Sequence, residues 1–286
     1  MWTLPPPDVF DVDTQLTTAL TYANGTPVYT LSPVERAAVL AVYEAYDALL
    51  GQPDPSLTPT ALVACREHIR EGYNQVQVGG RLARLRASLL AATDVCPYCG
   101  FGEPTELDHY LPKSQYGELA IYPRNLVPSC GPCNNAKRTI VPGVPPGPGL
   151  IHAYHQTLPE AAFMRADVDF GGGALSVTFR IEATALTPEL ATMLQFQLDR
   201  LKLNDRYPRQ INKFLSEQRT AMLLFKEPAA LTAYLFRSAK SLAQNFGRND
   251  WRPALLEALA ADDTFCNAPE DYLGMRAPTE AEQAAA

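Results

Sequence analysis

The chain has 286 residues, 47% hydrophobic and 19% charged. This is a globular composition that excludes wholesale disorder and allows one large domain or two modest ones. No run approaches the roughly 18 consecutive apolar residues of a membrane helix, and the first residues show neither the basic patch nor the apolar stretch of a secretory signal; the expectation is a cytoplasmic protein without membrane association. The net charge of −7 speaks against a polyanionic partner, but its distribution does not. Residues 1–62 hold one basic and seven acidic side chains, and residues 253–286 again one and seven, which leaves 22 basic against 17 acidic between them. Within that middle, 195–252 has eleven Lys or Arg and five Asp or Glu, a local excess able to attract a polyanion.

In chain order, residues 1–30 are rich in Pro, Thr and Asp and read as irregular. Ser32-Pro33-Val34-Glu35 is a helix start, with a Ser cap, Pro at the first helical position and Glu placed to complete a capping box. Apolar residues at Val39, Val42, Tyr43, Tyr46, Leu49 and Leu50 keep helical spacing up to Gly51-Gln52-Pro53. A second helix is expected from Thr58-Pro59 to about Tyr73 and a third from Arg81 to Ala92, with Arg66, Arg70, Arg81, Arg84 and Arg86 on their polar sides. Residues 96–141 are short-patterned and punctuated by Cys, Gly and Pro. The Pro/Gly run 142–149 reads as a connector. Leu175–Ile181 alternates as a strand and should pair with 166–170 across Gly171-Gly172-Gly173. Helical patterns run from Thr187-Pro188 to about Ala261, with breaks near Tyr207-Pro208, Pro228 and Pro253, and 276–286 reads as a disordered tail.

Four of the six cysteines form two knuckles, Cys96-Pro97-Tyr98-Cys99 and Cys130-Gly131-Pro132-Cys133. Two residues between thiolates let both face one ion, and two such pairs make the tetrahedral four-sulfur set that zinc prefers. A redox disulfide needs a single such pair, usually opening a helix after a strand. Cys65 and Cys266 read as packing residues, and His68 as structural. A four-sulfur zinc is coordinatively closed and cannot itself activate water, so the chemistry must lie between the knuckles.

There the chain reads Thr105-Glu106-Leu107-Asp108-His109-Tyr110-Leu111-Pro112-Lys113-Ser114, then Tyr122-Pro123-Arg124-Asn125-Leu126, and after the last knuckle Asn134-Asn135-Ala136-Lys137-Arg138. A hard oxygen ligand beside a titratable imidazole, with an amide nearby, is the set that metal-assisted phosphodiester cleavage needs. Neighbours in an extended strand face opposite ways, so Asp108 and His109 can share one task only if the chain bends, and Pro112 makes a bend plausible.

Taken together, the two knuckles, Asp108-His109 with Pro112, Asn125-Leu126, Asn134 and Lys137 resemble the zinc-stabilised branch of the HNH endonucleases, which share a ββα-metal (His-Me finger) fold. The resemblance implies an α+β, mostly helical protein. It divides into an N-terminal helical segment (1–93), a nuclease module braced by the four-cysteine zinc site (94–141), a mainly helical region with a short hairpin (142–275) and the tail. It implies hydrolysis of DNA phosphodiester bonds, with His109 as general base. Asp108 and Asn134 would ligate a catalytic divalent ion, magnesium or manganese, since an amide is a harder ligand than a second imidazole. Asn125 would pin the loop between the strands and orient His109, and Lys137 or Arg138, placed at the start of the short helix, would contact a phosphate. The flanking segments resemble bacterial HNH effectors of anti-phage defence or restriction, some of them held by a regulatory partner such as an ATPase. The alternative is a catalytically silent zinc module that binds nucleic acid or a protein. His152 and His155 lie after the connector, within reach of the site or as ordinary packing residues.

Overall fold

The computed structural model describes residues 3–145, 147–171 and 174–273, which are mostly helical with two small sheets. The chain forms two compact units, Met1–Leu158 with Pro188–Leu201, and Pro159–Thr187 with Lys202–Ala286.

The first unit contains α1 (Val12–Ala19), α2 (Pro33–Ala48), α3 (Arg66–Gly72), α4 (Ala83–Leu90), β1 (Glu106–His109), β2 (Leu126–Ser129), α5 (Gly131–Lys137) and, from further along the chain, α6 (Pro188–Arg200). Helix α2 starts as its sequence predicts: Ser32 Oγ accepts the Glu35 N–H at 3.2 Å, and the Glu35 carboxylate accepts the Ser32 N–H at 2.8 Å. Its apolar stripe, Val39, Val42, Tyr43 and Tyr46, is buried. Tyr43 stacks on Tyr122 at 4.3 Å and thereby anchors the helix over the loop that joins β1 to β2. Two expectations change here. Residues 12–19, read as irregular, form α1. The helix expected from Thr58 to Tyr73 is instead a 3₁₀ turn at Thr60–Leu62 followed by α3, with a further 3₁₀ turn at Pro55–Leu57 ahead of it. The Asp54 carboxylate caps the Pro55–Leu57 turn by accepting the Ser56 N–H at 2.8 Å, and Pro59 cannot donate a helical hydrogen bond.

β1 and β2 pair antiparallel in the register Glu106↔Ser129 to His109↔Leu126, and α5 follows β2 at once and packs against β1. The Pro/Gly run is a closed loop rather than the boundary expected at 142. The Gly143 N–H reaches the Pro148 carbonyl at 3.3 Å, and Gly149 (φ +90°) lies so close to Pro142 that a Cβ would sit 2.7 Å from its Cα. The chain therefore returns to the same unit, where Leu150, Ile151, His152, Ala153 and Tyr154 are buried. Gln197 of α6 ties this return in place, accepting the Ile151 N–H at 3.1 Å and donating to the Tyr98 carbonyl at 3.0 Å.

The second unit holds β3 (Met164–Asp169), β4 (Ser176–Ile181), α7 (Leu203–Leu223), α8 (Pro228–Phe246), α9 (Trp251–Ala260), α10 (Asp263–Asn267) and α11 (Pro269–Tyr272). β3 and β4 form the expected antiparallel hairpin. Helix α7 runs through Pro208, where a break is expected; the chain interrupts instead at Lys202, whose φ is +48°. Pro228 opens α8, and Pro253 sits in the first turn of α9, where no N–H is needed. Among the described residues no helix is long and apolar enough to cross a membrane. The tail 276–286 lies outside the described residues.

Replacing Ser32 with Ala removes one half of the reciprocal cap on α2. Urea unfolding should show a loss of about 1 kcal/mol with an unchanged m-value.

Candidate active site and sulfur cluster

The sulfurs of Cys96, Cys99, Cys130 and Cys133 all lie within 4.8 Å of one another and are buried. Tetrahedral zinc with Zn–S bonds of about 2.3 Å places its sulfurs about 3.8 Å apart, and Cys99 and Cys130 are 3.9 Å apart. The surroundings fit such a centre. The Gly102 N–H points at Cys99 Sγ at 3.3 Å, and a Cβ on Gly102 would lie 2.8 Å from Cys130 Sγ, so the chain closes around the sulfurs where only glycine fits. Cys65 and Cys266 are buried elsewhere and take no part. The cluster joins the segment before β1 to the start of α5, holding the two ends of the hairpin together.

His109 is the last residue of β1. Its Nε2 lies 2.9 Å from the Ala120 carbonyl. A carbonyl only accepts, so Nε2 carries the ring proton and Nδ1 keeps the lone pair. Burial is the chief cause that pushes the imidazole down to about 3; the Lys113 and Lys137 charges add to this, and the Ala120 hydrogen bond opposes it. The ring is therefore neutral at pH 7. Tyr73 packs edge-on against it, with ring centres 4.3 Å apart, and Lys113 Nζ sits 4.4 Å from the Tyr73 ring centre. The carbonyl that fixes the His109 proton belongs to the long β1–β2 loop, and Asn125 holds that loop. Its Nδ2 donates to the Leu111 and Leu119 carbonyls at 3.1 and 3.2 Å, and its Oδ1 accepts the Leu111 N–H at 2.8 Å.

Asp108 is 2% exposed and is already engaged. Tyr98 Oη donates to its Oδ2 at 2.8 Å, and the Lys137 ammonium lies 3.0 to 3.1 Å from both of its oxygens. Lys137 also donates to the His109 carbonyl at 2.7 Å. This corrects the expected role of Lys137. It lies at the end of α5 rather than the start, is 1% exposed, and faces inward to balance Asp108 instead of meeting a phosphate. Asn134, in the middle of α5, donates from Nδ2 to Glu106 Oε2 at 2.7 Å. With Nδ2 as the donor to Glu106, the Asn134 Oδ1 is turned away from it.

Glu106, Asp108, His109 and Asn134 line one cleft of about 580 Å³. Four cationic residues share it: Arg70 of α3, Arg86 of α4, Lys113 and the exposed Arg138, which leaves α5 with φ +53°. The expected site residues His109, Asp108, Asn134 and Arg138 thus come together, and Asn125 stands behind them as support. Neither His152 nor His155 lines the cleft. Sequence reasoning assigned no role here to Glu106, Tyr98, Tyr73, Arg70 or Arg86. A signal existed for Glu106, since it lies two residues before Asp108 in a strand and so shares its face.

Comparison with known proteins agrees with this geometry. Residues 96–139, which hold the hairpin, the following helix and the four-cysteine cluster, match the family model described as HNH endonuclease. Protein ea31 of Escherichia phage lambda is 31% identical over 137 residues, 45% of this chain. The match likewise spans only 45% of that protein, less than half its length. No solved structure matches the chain.

Because Lys137 neutralises a buried carboxylate, Lys137→Met should destabilise the chain by about 3–5 kcal/mol in urea unfolding. Adding Asp108→Asn should return part of that loss, which a double-mutant cycle measures.

Proposed function

We propose that this chain is a metal-dependent endonuclease that hydrolyses DNA phosphodiester bonds in the cleft around His109. The carrying observation is the bond from His109 Nε2–H to the Ala120 carbonyl, which leaves a neutral imidazole with its lone pair on Nδ1. In this reading Nδ1 accepts a proton from the attacking water, and the Ala120 carbonyl stabilises the imidazolium that forms. Arg70, Arg86, Lys113 and Arg138 bind the phosphodiester backbone along the cleft and orient it. Lys137 and Tyr98 hold the Asp108 carboxylate, and Glu106 holds the Asn134 amide by its Nδ2, with Oδ1 turned away from Glu106.

Asp108 and Asn134 are the residues that would hold a divalent ion. A carboxylate has about four lone-pair sites, of which Tyr98 and Lys137 occupy three at Asp108. The donors are all hard oxygens, which suits magnesium or manganese. Such an ion supplies charge neutralisation at the leaving oxygen. In the same reading the sulfur cluster holds a structural zinc that keeps the hairpin and α5 together. The relative named above is phage-encoded, which gives no support to a role in anti-phage defence or to control by an ATPase partner.

A plasmid-nicking assay tests the reading. The wild-type chain should nick supercoiled DNA only with magnesium or manganese, and His109→Ala should cut slower by a factor on the order of 10²–10⁴ with unchanged zinc content. Nicking by His109→Ala at the wild-type rate contradicts the assignment, and DNA binding with no metal-dependent nicking by the wild type identifies a silent binding module instead. Arg70→Ala and Arg86→Ala should each weaken DNA binding and reduce the slope of log affinity against log salt by about one.

A further inference from the structure

Behind the cleft, Asn125 is itself held by a buried polar chain drawn from outside the family segment. Tyr46 of α2 and His152, just past the Pro/Gly loop, are 0% and 2% exposed. Their hydrogen bonds run in one direction. The Tyr154 N–H donates to His152 Nδ1 at 3.1 Å, so the single proton of the neutral ring is on Nε2. Nε2 lies 2.8 Å from Tyr46 Oη and donates to it; Tyr46 O–H in turn donates to Asn125 Oδ1 at 3.1 Å. Asn125 then spends both amide hydrogens on the Leu111 and Leu119 carbonyls, and residue 119 directly precedes the Ala120 carbonyl that receives the His109 proton. Every donor in the chain has an acceptor, and reversing any one bond would leave a buried group unpaired. Burial, with the neighbouring His155 and Lys137 charges, keeps His152 neutral, as the pattern requires. The fold also makes room for the contact. A Cβ on Gly51 would lie 2.4 Å from His152 Cδ2, and Gly51 takes φ +75°, so this position suits glycine alone.

We propose that His152 and Tyr46 are positioning residues for His109: by fixing the Asn125 amide they hold the β1–β2 loop so that the Ala120 carbonyl selects the Nε2–H form of the base. The inference rests on the nuclease reading only for its effect on activity; the state of the ring can be measured without DNA. The helix α2 and the segment after the Pro/Gly loop are then parts of the active site, although neither touches the cleft.

The test uses the full chain labelled with ¹⁵N at histidine, with long-range ¹H–¹⁵N correlation spectra reading the proton position on each ring. Wild type should show His109 protonated at Nε2, with His109→Ala assigning the signal. Tyr46→Phe, which removes only the hydroxyl, should give a mixture of His109 tautomers and lower kcat for nicking about tenfold, with KM and zinc content unchanged. Two further variants separate positioning from packing. His152→Gln retains a donor where Nε2 lies and should keep most of the activity, whereas His152→Asn retains only the acceptor for the Tyr154 N–H and should behave as Tyr46→Phe. An unchanged His109 tautomer in folded Tyr46→Phe, or equal losses in the two His152 variants, overturns the proposal. Failure of the nuclease reading would show separately, as wild-type nicking by His109→Ala.

Discussion

A backbone carbonyl has no proton to give, and the site is organised around that fact. With Ala120 accepting from Nε2, the His109 ring has one available arrangement, with its lone pair on Nδ1. Burial and the nearby Lys113 and Lys137 charges keep the ring neutral. The remaining features of the first unit determine where that carbonyl sits. The sulfur cluster ties the approach to β1 to the start of α5, Asn125 ties both ends of the β1–β2 loop together, and α2 covers the loop through Tyr43 and Tyr46.

The acidic side of the cleft follows a different logic. A carboxylate as buried as Asp108 needs a countercharge, and Lys137 provides it from the end of α5 while also holding the His109 carbonyl. Glu106 is only partly buried and is free to orient Asn134. Two carboxylates and an amide, Asp108 buried and Glu106 and Asn134 half-buried, therefore stand beside one imidazole, within a rim of arginine and lysine from α3, α4, the β1–β2 loop and the end of α5. The overall negative charge of the chain is thus compatible with a positive cleft, since the excess acidic residues lie in the terminal stretches of the sequence.

Much of this was legible in the sequence because it is local. The knuckle spacing announces the sulfur cluster, Ser32-Pro33-Val34-Glu35 announces the cap of α2, and alternation around a glycine run announces the β3–β4 hairpin. The Asp108-His109 pair and Asn134 could be assembled into a site only through the family pattern. What stayed hidden is long-range or directional. Lys137 looks like any charged residue in a helical turn, and nothing nearby says that its ammonium turns inward. Tyr46 and Asn125 are 79 positions apart and Tyr46 and His152 are 106 apart, so their meeting depends on how α2 and the Pro/Gly loop pack. The Pro/Gly run read as a boundary because composition marks irregular backbone but not where the chain goes next; here it turns back into the same core.

The most direct measurement is a crystal structure of the His109→Ala chain with a DNA duplex bound. The account predicts a phosphate of the backbone seated between Arg70, Arg86 and the vacated ring position, facing Glu106 and Asn134. A duplex lying on another surface, with no phosphate in that cleft, would contradict it.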